Sequence, residues 1–322
     1  MRKIGLTLLI GLFWIPLAMA ATPVLIATHV SELSPLYHQA QLFVSTINQQ
    51  SSNQFDFEFK FYPSGQLGNE KALLTSVKAG SIEMIIIASG MIKQVKELDL
   101  FDLPWLFKDR DHIRRVMQGA LGQEIADLIS KKTGVTVLGI YENGFRHVMN
   151  NQRPIQTIED LSGLKIRVSG GKMRQQVFYL LGAQPQSIDW KESFTSMETG
   201  VVDGSESATY GFYEQKLYEV QSYLSLTHHV YTPSFLLVAN SFFSRLTPAQ
   251  QQMFRTVGHR ITDQTYTTAA QMEARYLEAM QGKIKINTPP DLTAFRRQVQ
   301  PVYEAYAKQH GRQWLQQVEA QR

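Results

Sequence analysis

Two stretches of the chain, 120 residues apart, follow one plan: KALLTSVKAGSIEM at 71–84 and KESFTSMETGVVDG at 191–204. Each is a helix-compatible run stopped by a glycine, Gly80 or Gly200, leading into a strand that meets an acid, Glu83 or Asp203. Four identities in fourteen positions are weak alone. Helix, stop and strand recurring in the same order nevertheless point to an α/β chain of two similarly built lobes with a cleft between them. A length of 322 residues allows both.

The surrounding pattern agrees. The first half reads strand 24–27, helix 36–48, strand 55–61, helix 68–79 and strand 82–88, a βαβαβ order. The second reads strand 145–150, a turn whose Thr157 and Asp160 have capping-box spacing, strand 165–168, helix 172–181 closed by Gly182, strand 184–188, helix 191–199 and strand 201–203. A helix at 214–224 and a strand at 235–240 follow. From Thr247, an N-cap with Pro248 at the first helical position, the sequence stays helix-compatible to 281, about 50 Å of helix, enough to lie along both lobes. A strand at 283–286 and a helix at 292–317 close the chain. The expected lobes are 21–143 plus 233–272, and 144–232 plus 273–322.

Arg2 and Lys3 precede an apolar run at 4–17, and Ala18-Met19-Ala20 supplies a small-x-small cleavage pattern, so residues 1–20 read as an export signal and the mature protein as periplasmic. The chain has no cysteine, which excludes a lipid anchor on cysteine, disulfides, thiolate nucleophiles and cysteine-bound zinc. Removing Arg2 and Lys3 leaves 30 basic against 28 acidic residues, with no basic block longer than two, so nucleic acid is not an expected partner. No GxSxG, HExxH or P-loop pattern occurs, and the eight histidines include no i, i+4 pair. Adjacent His228 and His229 read as a structural pair on opposite sides of an extended segment. No enzyme, cofactor or metal is expected.

What remains is arginine. In the strand-like run Lys165-Ile166-Arg167-Val168, alternation sends Ile166 and Val168 to one face and the two basic residues to the other. A buried guanidinium meets a carboxylate bidentately, so Arg167 is a candidate anion clamp. Arg153 and Arg174 read instead as solvated or rim residues. Gly170-Gly171 after the strand fits an anion-binding nest or a plain tight turn.

The phrases RPIQTIEDLSGLKIRV, FYPSGQLGNEKALL, LPWLFKDRDH, VVDGSES and YEVQSYLSLTHH, taken together, resemble the DctP-type solute-binding subunit of tripartite ATP-independent periplasmic (TRAP) transporters over nearly the whole chain from Val24. The resemblance implies two α/β lobes joined by crossing strands and one long helix, closing on an organic acid that passes to small and large membrane permease subunits driven by an ion gradient. It places Arg167 as the carboxylate-clamping arginine and Arg146, in GFRH, as a second arginine contacting the acid. Where many members read VDGQEN this chain has Ser207, so the substrate is not simply transferable. Trp190 falls where the family has a pocket residue; His29 and Ser89, at strand ends, and Tyr210, close after Ser207, are further candidates. Phe212 and Tyr213 share the covering position. The alternative is a ligand-sensing relative that presents its closed form to a sensor kinase.

Overall fold

A computed structural model describes residues 22–51, 57–169 and 171–322. The export-signal segment and the first residues of the strand expected at 55–61 lie outside the described residues, as does Gly170. Ten strands are described: β1 (Thr22–Ala27), β2 (Phe57–Tyr62), β3 (Met84–Ile87), β4 (Val135–Asn150), β5 (Lys165–Val168), β6 (Gln184–Ser187), β7 (Gly204–Ala208), β8 (Tyr223–Ser225), β9 (Tyr231–Ala239) and β10 (Lys285–Asn287). They run in the order β2-β1-β3-β9-β4-β7-β5-β6, with β8 and β10 attached beside β4.

The molecule is an α/β two-lobe binding-protein fold built on the long strand β4. Its first part pairs antiparallel with β9, which continues into the parallel set β3, β1 and β2. Its last five residues, Arg146 to Asn150, pair instead with β7, which opens the second parallel set of β5 and β6. The sequence reading saw only 145–150 of this strand; the preceding residues carry Gly139, Glu142, Asn143 and Gly144, which break the apolar alternation. Register shifts between Val137 and Gly139 and between Glu142 and Gly144 mark the same irregularity.

The 120-residue echo survives in three dimensions. Helix Glu70–Ala79 ends on left-handed Gly80 (φ 74°) and leads to β3; helix Ser193–Glu198 reaches left-handed Gly200 (φ 71°) and leads to β7. The paired acids do the same job. Glu83 accepts the Leu25 backbone N–H of β1 at 2.9 Å, and Asp203 accepts the Lys165 N–H of β5 at 2.8 Å, each carboxylate extending the hydrogen bonding of its parallel sheet.

Other expectations are corrected. The run from Thr247 starts on the expected N-cap, which Gln250 completes as a capping box, but it divides into Pro248–Arg260 and Thr262–Met280. At the break the Gly258 carbonyl accepts the Tyr141 hydroxyl at 3.0 Å, a side chain meeting the helix backbone beside the joint at Ile261. The helix expected at 214–224 forms earlier, at Thr209–Glu214, and Lys216 (φ 52°) turns the chain away from helix. The final helix is three pieces, Thr293–Gln298, Gln300–His310 and Gln313–Glu319, separated near Pro301 and at Gly311 (φ 81°). Two helices not placed from the sequence, Arg110–Gln118 and Ala120–Thr133, precede β4. The terminal pieces pack back on that region: Trp314 Nε1 donates to Glu124 at 3.0 Å and Tyr303 Oη to the Pro104 carbonyl at 2.6 Å, tying a segment expected in the second lobe to the first.

Candidate functional site

The carboxyl ends of β1, β3, β5, β6 and β7 converge on a cleft of about 270 Å³, where ligands of open α/β sheets bind. Arg146, Arg167, Ser207 and Trp190 line it on the side of the second strand set. His29, Ser89 and Tyr210 line it too, so all seven residues singled out from the sequence meet at one cavity. Phe212 and Tyr213 do not: Phe212 is buried in the second-lobe core, and Tyr213 stacks on Tyr276 at 4.7 Å.

Arg167 is 2% exposed, with its Nε donating to the Ile188 carbonyl at 3.0 Å and its guanidinium 5.1 Å from the centre of the Trp190 ring. Its Nη1 is buried without a hydrogen-bond partner, and among the described residues no carboxylate lies within ion-pairing distance. Burial draws its pKa down to about 10, which leaves it charged at neutral pH. A buried cation without a counter-ion is costly, and an incoming anion removes that cost.

Arg146 is equally buried, but two of its three guanidinium nitrogens are engaged within the protein: Nε pairs with Glu206, and Nη2 donates to Glu206 Oε1 at 3.0 Å and to Ser169 Oγ at 2.8 Å. Burial pushes the Glu206 carboxyl up, but Arg146 and Arg174 outweigh it and hold the group well below the usual carboxylate range. Arg174, expected at a solvated rim, is fully buried, bridging Asp102 and Glu206. Its partner Asp102 lies 72 positions away in sequence, so no local pattern announced it. Arg153 is half-buried and ties down its own turn through the Asp160 and Ser162 carbonyls at 2.9 and 2.8 Å.

The histidine pair is not extended. His228 has φ 46° and meets His147 edge-on with ring centres 4.4 Å apart, while buried His229 sits 3.5 Å from Glu206. Gly171, the described half of the glycine pair, precedes helix Lys172–Leu180 without a side-chain cap.

The rest of the lining escaped sequence reading. Glu70, Lys71, Lys93, Asn143, Ser169, Asp189 and Lys191 all face the cavity. The echo held a signal for some of them. Asn69 and Asp189, at equivalent positions 120 residues apart, each cap the helical turn that follows, and they meet across the cleft mouth at 3.0 Å. Lys191, the equivalent of Lys71, reaches over to the Gly65 carbonyl at 3.0 Å.

Residues 26–309 match the family model described as bacterial extracellular solute-binding protein, family 7, also called DctP. The chain belongs to this family. Its members are TRAP-type periplasmic solute-binding proteins, a transport family and not an enzyme family. Among relatives of this DctP chain, the sialic acid-binding periplasmic protein SiaP of Vibrio cholerae is 29% identical over 288 residues, covering 89% of each chain. The 2,3-diketo-L-gulonate-binding periplasmic protein YiaO of Escherichia coli is 30% identical over 248 residues, covering 76% of this chain and 75% of its own. The solved structure of a TRAP solute-binding protein from Polaromonas sp. JS666, bound to D-erythronate, superposes with a TM-score of 0.88 at 28% identity, covering 93% of this chain and 98% of the other. Among the described residues no helix is long and apolar enough to cross a membrane.

Proposed function

We propose that this DctP-family protein captures a hydroxylated organic acid in the cleft, with the carboxylate on Arg167, and delivers it to the small and large membrane subunits of a TRAP permease. The observation that carries the reading is the buried Arg167 guanidinium, facing the cavity with one nitrogen unpartnered and, among the described residues, no carboxylate paired with it. Arg146 acts beside it by holding Glu206 and Ser169 in place. A hydroxylated tail fits the rest of the cleft, where Glu70 on the first-strand-set side and Asp189 next to Trp190 supply carboxylates that accept hydroxyls and disfavour a second acid group, and where His29 Nδ1 is buried without a partner. Ser207, Ser89, Tyr210 and the Trp190 ring complete the enclosure. Closure of the lobe built on β1, β2 and β3, with the terminal helices packed against it, on the lobe built on β5, β6 and β7 is stabilised by contacts that only the bound, shut form makes. Residues 1–20 are removed on export in this reading. Presentation to a sensor kinase finds no support in the relatives compared.

A thermal-shift screen over aldonic and uronic acids, C4-dicarboxylates, 2-oxo acids and the matching neutral sugars tests this. A cognate acid at a hundredfold its Kd adds about 2.7 kcal/mol of stability. Equal shifts from an acid and its uncharged analogue, or none from any acid, would overturn the assignment.

A further inference from the structure

We infer that Glu214 is a positioning residue that couples contact across the cleft to the orientation of the Arg167 clamp; the inference rests on Arg167 being the ligand's anchor. Glu214 ends helix Thr209–Glu214, directly after β7, and its carboxylate is shared between the two sides of the cleft. Oε2 accepts from the Ser31 Oγ at 2.8 Å and the Ser31 N–H at 3.2 Å, both from the loop after β1. Oε1 accepts the Trp190 indole N–H at 3.1 Å. The Trp190 ring in turn lies 5.1 Å from the Arg167 guanidinium carbon, and the same short segment supplies the Ile188 carbonyl that holds Arg167 Nε.

The chain Ser31, Glu214, Trp190, Arg167 therefore runs from one side of the cleft to the anion site on the other. Two of the three donors to this carboxylate come from Ser31, so separating the two sides strips it of most of its partners and leaves the indole tethered to a poorly fixed group. With Ser31 in place the indole is locked, and so is the face on which the guanidinium rests. Gly211 sets the other boundary: a Cβ there would stand 2.9 Å from the indole ring and 2.5 Å from Ser207 Oγ, so the ring packs directly on helix backbone.

The test uses the full mature chain with the strongest acid from the thermal-shift screen. Its lack of cysteine permits dyes at Thr75→Cys and Thr195→Cys, exposed equivalents on the two echo helices, to report the distance across the cleft. Glu214→Ala is expected to weaken binding about tenfold or more and to shift the dyes apart at subsaturating ligand. Trp190→Phe, which removes the N–H and keeps a ring, should add little on that background, because both changes cut one chain. If Glu214→Ala fails to fold, Ser31→Ala on the loop carries the same expectation. Additive effects of Glu214→Ala and Trp190→Phe, or unchanged affinity and dye distance, would overturn the relay while Arg167→Ala still abolishes binding. An Arg167→Ala protein that binds normally would overturn the anchor itself.

Discussion

Arg146 and Arg167 stand on opposite sides of β7 and line the same cavity, 4% and 2% exposed, yet among the described residues one pairs with a buried carboxylate and the other with none. Burial and residue type are the same; the count of counter-charges is not. Around Glu206 two guanidiniums share the available acid, which holds the second strand set together beneath the cleft. Arg167 is left over, and a left-over buried cation is a place for a ligand.

The comparison breaks most visibly at Arg146. Arg146→Ala leaves Glu206 buried with Arg174 as its remaining arginine, and should cost about 3–5 kcal/mol in urea unfolding of the ligand-free protein. A loss below 1 kcal/mol would mean that Arg146 is not structural. Next in size, Arg167→Ala should cost at least about 2 kcal/mol of binding free energy by calorimetry, while the ligand-free unfolding midpoint stays put or rises, since an uncompensated charge has left the interior. A clear drop in that midpoint would make the two arginines alike.

A smaller effect sharpens the electrostatic side. Burial lowers the pKa of His147, whose ring sits 3.3 Å from Glu273 on helix Thr262–Met280, so the folded protein keeps it neutral. Below the unfolded value near 6.5 the unfolded chain takes up the proton first, and stability falls as pH drops. Between pH 7.5 and 5 the wild type should therefore lose more stability than His147→Gln, by thermal melts of both. Equal losses would show that His147 is not held neutral.

The sequence displayed what depends on local order. The glycine stops of the echo, the capping residues Thr157 and Thr247, and the strand around Arg167 all fall where they were read. It hid what depends on distant partners. The strand Gly204–Ala208 is fully buried although it carries Ser205, Glu206 and Ser207, because its polar groups are met by arginines and a serine from other elements. Polar alternation gives no hint of such a strand, so the expected strand stopped at Asp203. Arg174 escaped for the same reason. The cavity residues Lys71 and Lys191 were within the echo, but a repeat announces shared backbone and not which face of it meets a ligand.

The placement of Arg167 also divides how dissolved salt acts on the protein. Lys71, Lys93 and Lys191 are exposed residues of the cavity lining within reach of dissolved ions, whereas the Arg167 guanidinium lies buried at its wall. Under the proposed reading, ionic strength therefore acts on how fast an anionic solute is drawn in far more than on how long it stays.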